Sequence, residues 1–100
     1  MDSATDELTR AALELLDGAL NRPPLELKAE VDDAERAVVA LRDNLIDRCR
    51  QTENRPDSAL RQALDQVNVA LSLVVGIEYP VGGLQRALIQ QARQVLAALV

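Results

Sequence analysis

Few residues in this chain have a type and setting that can do chemistry. Cys49 sits between Arg48 and Arg50, and positive neighbours favour the reactive thiolate. Gly82 and Gly83 precede a helix start with Arg86 in its first turn, a place where backbone N–H groups can face an anion. Tyr79, the only aromatic residue, is followed by Pro80, and Glu78 beside it is a conceivable acid. Each has a plainer reading. Cys49 lies four positions beyond Leu45 and continues an apolar line, where a free cysteine packs as a small hydrophobe. The Gly82-Gly83 pair lets the chain reverse and begin a helix. Neither phosphate-loop glycine spacing is present, and no parallel sheet supports one. Tyr79-Pro80 forms a rigid knuckle that either plugs one end of a helical bundle or is presented to a partner.

What is missing is more decisive. There is no histidine, which removes the commonest general base and the usual ligand for zinc, copper and haem. One cysteine can supply neither a thiolate cluster nor an internal disulfide. The Glu-x-x-His pairs of di-iron bundles are absent, and Glu30, Asp33, Asp43 and Asp47 all fall off the apolar seam of their helix. No two titratable groups are spaced for acid–base work. We therefore expect no enzyme activity, no metal and no cofactor.

The elements that position these residues follow from composition and period. Of the 100 residues, 48% are hydrophobic, and nearly all of those are Leu, Ala and Val, a palette for helix packing. With no Phe or Trp, any core is aliphatic and nucleobase-stacking platforms are lacking. A net charge of −5 opposes nucleic-acid and anionic-membrane binding. No run approaches the roughly 20 apolar residues of a membrane span, and no signal peptide is visible. These features, with the single thiol, predict a reduced cytoplasmic protein. Fourteen of the sixteen acids precede Ala59, which leaves the second half poor in charge.

Four helices are predicted, at about 4–20, 25–51, 57–76 and 84–99, in one all-α domain over residues 1–100. In the first, Leu8, Ala12, Leu15, Leu16, Ala19 and Leu20 share a face, Ser3 and Asp6 form a capping-box-like start, and Pro23-Pro24 ends the helix. The second carries Leu27, Val31, Ala34, Val38, Leu41 and Leu45 at alternating steps of four and three, a heptad-like seam. Its acids crowd the front and its bases the back, as the helix dipole prefers, and Asp32 and Arg36 are spaced as a pair. The third, opened by Pro56, repeats the seam with Leu60, Leu64, Val67, Leu71 and Val74. A short link makes these two long helices an antiparallel hairpin. The fourth has Leu84, Leu88, Ala92, Val95 and Leu99, with Ile89 and Leu96 alongside. An up-down-up-down bundle is the simplest assembly.

The end of the third helix is apolar on all sides, with only Asn68 and Ser72 as a thin polar line. Val69, Leu73, Val75 and Ile77 also fit one face of a strand, but the chain offers no second strand to pair with it. An all-round apolar helix needs cover from its own chain or from a partner. The second helix also outreaches the first and fourth, so either its seam or this end is left for another molecule. The expectation is a non-catalytic interaction module, an adaptor, assembly factor or scaffold component. It binds another protein or itself as a homodimer through Val69, Leu73, Val75, Ile77, Tyr79 and Val81. Two other readings fit the same residues: a secretion-type chaperone or toxin-neutralising partner, and a small-molecule binder or enzyme at the Gly76–Gly83 turn.

Overall fold

The computed structural model describes residues 3–21, 27–51, 58–76 and 83–99, and the side chains of these apart from residues 27, 28 and 83–85. It contains four helices: α1 (Ser3–Leu20), α2 (Leu27–Gln51), α3 (Ser58–Val75) and α4 (Gly83–Ala97). Every bound lies within two residues of the one read from the sequence. There is no strand among the described residues, and α3 stays helical through Val75, so the strand reading of its end is overturned. The capping and turn roles given to Pro23, Pro24, Pro56, Tyr79 and Pro80 fall outside the described residues. Ser3 is already helical, and Asp6 is the acid of the first turn.

Each helix packs on two others: α1 on α2, α2 on α3, α3 on α4, and α4 back on α1. Among the described residues the diagonal pairs do not meet. Cross-helix contacts give the directions. Thr5 near the start of α1 meets Asn44 and Arg48 near the end of α2, Leu20 at the end of α1 meets Arg86 near the start of α4, and the start of α3 lies beside the ends of both α2 and α4, so neighbours run antiparallel. The body is a rod of 47 × 20 × 18 Å. The 25 residues of α2, about 37 Å at 1.5 Å each, account for most of its length.

The core is aliphatic, as the composition requires. In α2 the seam holds as read: Val31, Ala34, Val38, Leu41 and Leu45 are buried, with Val31 only 2% exposed and the others not exposed at all. One chain thus covers this seam from Val31 to Leu45, while Leu27, its first member, lies outside the described side chains.

The other helices are turned slightly from the expected faces. Leu88 and Val95 of α4 and Leu99 just beyond it are half-buried, and the fully enclosed line is Ile89, Ala92 and Leu96. In α3, Ala63 and Ala70 go inside with Leu60, Leu64, Val67 and Val74, while Leu71 stays at the edge. A helix with two neighbours buries most deeply the line that faces the angle between them, and the flanking lines become its margins. Small residues on that line let the backbones come close. Dispersion, which acts only near contact, then adds to the removal of apolar surface from water.

In α1 the buried line starts earlier than the leucines suggest: Thr5, Thr9, Ala12, Leu16 and Ala19, again at steps of four and three. Burying two hydroxyls requires partners. Thr9 donates to the Thr5 carbonyl one turn back at 2.8 Å. Thr5 donates to Asn44 Oδ1 at 2.7 Å and accepts from Arg48 Nη1 at 3.0 Å. Asn44 and Arg48 are one turn apart on α2, so they reach α1 from the same face.

Candidate interaction surface

Packing Leu60, Leu64, Val67, Ala70 and Val74 inward fixes what α3 shows outside. At 100° per residue, Val69, Ser72 and Val75 form a row with 60° steps on the outer face. Val69 is 50% and Val75 59% exposed, the large apolar side chains most open to solvent among the described residues. Asn68 and Gly76 lie beside the row and are exposed as well. The Ser72 hydroxyl donates back to the Asn68 carbonyl at 3.0 Å, so its polarity is partly spent within the helix. From Gln66 to Gly76 there is no charged residue, and the strip carries no electrostatic barrier to an apolar partner.

The six residues expected to form the contact surface divide into three groups. Val69 and Val75 are on the outer row. Leu73 is half-buried and packs against the core, at the margin of the same face. Ile77, Tyr79 and Val81 lie outside the described residues, as does the choice between a sealing and a presented Tyr79-Pro80. Among the described residues the patch is the outer row centred on Ser72.

Of the other candidate chemistry, Glu78, Tyr79 and Gly82 lie outside the described residues. Cys49 forms no disulfide, is half-buried and packs against the core, which agrees with its place at the end of the α2 seam. It borders a shallow open depression of about 280 Å³ with Ile46, Arg50, Arg61 and Leu64. A larger one, of about 610 Å³, runs between the start of α3 and the end of α4 and is lined by alanines, Leu99, glutamines and Asp65. Neither encloses a small molecule in the way a ligand pocket does. Among the described residues no group of three His, Cys, Asp or Glu side chains could hold a metal ion. None of the described helices is long and apolar enough to cross a membrane.

The charged groups are mostly solvated. Arg36 pairs with Asp33 at 2.8 Å, and Arg42 with the adjacent Asp43. Such exposed pairs are worth little. More informative is the α1–α4 seam, which sequence spacing did not single out. There Arg93 Nε donates to Asp17 Oδ1, and Arg86 Nη2 donates to the Leu20 carbonyl at the end of α1. The hydrogen bond and the charge of Asp17 raise the Arg93 pKa above its ordinary value. Because the folded-state value is the higher one, this contribution is complete below the ordinary arginine range and is lost only as strong alkali deprotonates Arg93. Around neutral pH the Arg93 end of the contact is constant.

Comparison with protein-family models finds no match, and comparisons with curated proteins and with solved structures likewise find none.

Proposed function

We propose that this bundle is a non-catalytic protein–protein interaction module, an adaptor, assembly factor or scaffold component, that binds a partner protein or a second copy of itself through the outer face of α3. The observation that carries the reading is the pair Val69 and Val75, half or more exposed in a stretch free of charge on an otherwise well-enclosed aliphatic core. Scattered surface valines need no explanation, but two in one row of an uncharged helix end form the most apolar outward strip the described residues offer. A cysteine at the core edge that forms no disulfide suits a reducing compartment, and our reading puts the protein in the cytoplasm.

The test uses the two exposed valines, because Leu73 contributes to the core and its replacement would confound folding with binding. Val69→Glu and Val75→Glu are each expected to keep the helical circular dichroism signal and to change stability by only about 0.5 kcal/mol. Together they should abolish the self-association or defined-partner binding measured by sedimentation at high micromolar concentration. A folded double variant that associates as the unmodified chain does would remove this face from the proposal.

A further inference from the structure

We propose that Asp17, Arg86 and Arg93 form a latch along the α1–α4 seam, and that the bundle opens along this line. Three of the four helix pairs are consecutive in the chain. The α1–α4 pair joins the first helix to the last, and it is the thinnest of the four interfaces. Opening there leaves the α1–α2, α2–α3 and α3–α4 packing intact, whereas opening any other line strains a connection of a few residues.

The placement of charge on α4 matches this role. From Gly83 to Ala97 the only charged residues are Arg86 and Arg93, seven positions apart and so on one stripe of the helix. Both reach the same end of α1. Arg93 takes the Asp17 carboxylate, and Arg86 takes the carbonyl of Leu20, the negative end of the α1 dipole where a cation is favoured. The contacts are peripheral, with the Arg93 and Asp17 side chains 39% and 45% exposed, so they can part without dragging charge through the core. Behind them lie the buried aliphatic lines of the two helices, Leu16 and Ala19 on α1 and Ile89 and Ala92 on α4. Releasing the latch uncovers those lines while the α2–α3 hairpin stays formed.

Native-state hydrogen exchange on the full chain tests this, helix by helix. In the unmodified protein, amides of α4 and of the C-terminal half of α1 should exchange through an opening that leaves the central turns of α2 and α3 protected. Asp17→Asn should speed exchange of α4 and the end of α1 by about two- to five-fold, the range of an exposed ion pair, and leave α2 and α3 unchanged. Arg86→Gln, which removes the cap on Leu20, should do the same by an independent contact. Reversing the pair, Asp17→Arg with Arg93→Asp, should restore the original rates. The latch is overturned if all four helices exchange in one global event, if Asp17→Asn speeds them equally, or if the reversed pair behaves like the single variant.

Discussion

Leu41→Ala is expected to cost about 2–5 kcal/mol of folding free energy, a large part of the roughly 5–15 kcal/mol that holds a domain of this size. Leu41 is fully buried near the middle of α2, the helix that packs on both α1 and α3. Truncation removes three carbons from a core that has no buried aromatic ring among the described residues to shift into the space. The loss therefore combines transfer free energy with an unfilled cavity. Urea unfolding followed by circular dichroism should show a lower midpoint with an unchanged slope, since the surface exposed on unfolding hardly differs. Leu71→Ala is the control. Its side chain is half-buried at the edge of α3, and the cost should be well below that of Leu41→Ala. Equal costs at the two sites would mean that the core is not centred where these burials put it.

The second large effect is expected at the polar contact between α1 and α2. Asn44→Leu removes the acceptor of the buried Thr5 hydroxyl, which has a single proton to donate. Losing that buried hydrogen bond costs about 0.5–1.5 kcal/mol. Thr5→Val removes the donor instead and leaves the half-buried Arg48 able to turn toward water. The double variant Thr5→Val, Asn44→Leu takes away both partners and should lose less than the sum of the two single variants. The difference, read from a double-mutant cycle of urea midpoints, is the coupling across the α1–α2 interface. Strict additivity would show that the 2.7 Å contact contributes nothing to docking α1.

The sequence made this pair hard to see. Threonine reads as polar in a hydrophobicity pattern, so the apolar stripe of α1 begins at Leu8. Only its spacing, which continues backward through Thr9 and Thr5 at the same steps of four and three, points to the true line. In α2 the pattern was legible, because Val31, Ala34, Val38, Leu41 and Leu45 fall in one line at steps of four and three on a helix rich in charge elsewhere. The contrast lies in α4, which has two neighbouring apolar lines. Period alone cannot say which one faces the angle between α1 and α3, and the structure puts Ile89 and Leu96 there rather than Leu88 and Val95. The exposed apolar strip of α3 was legible as a region and not as a set of residues. The shortage of charge after Ala59 marks α3 and α4, but whether Val69, Leu73 or Val75 points outward depends on a rotation of α3 that its neighbours set. The side-chain partners of Arg86 and Arg93 lie on another helix, and no local spacing encodes them.

The cyclic packing order also shapes how the chain reaches its fold. Interfaces between consecutive helices join residues close in sequence, and domains dominated by such contacts fold in microseconds to milliseconds. The α1–α4 contacts are of another kind, since Asp17 and Arg93 are 76 positions apart and Leu20 and Arg86 are 66 apart. The entropy of closing a loop of that length grows only with the logarithm of its size, and is much reduced once α2 and α3 have paired and shortened the path. The seam that joins the two ends of the chain is then the last to form, a late and inexpensive step after the local search is complete.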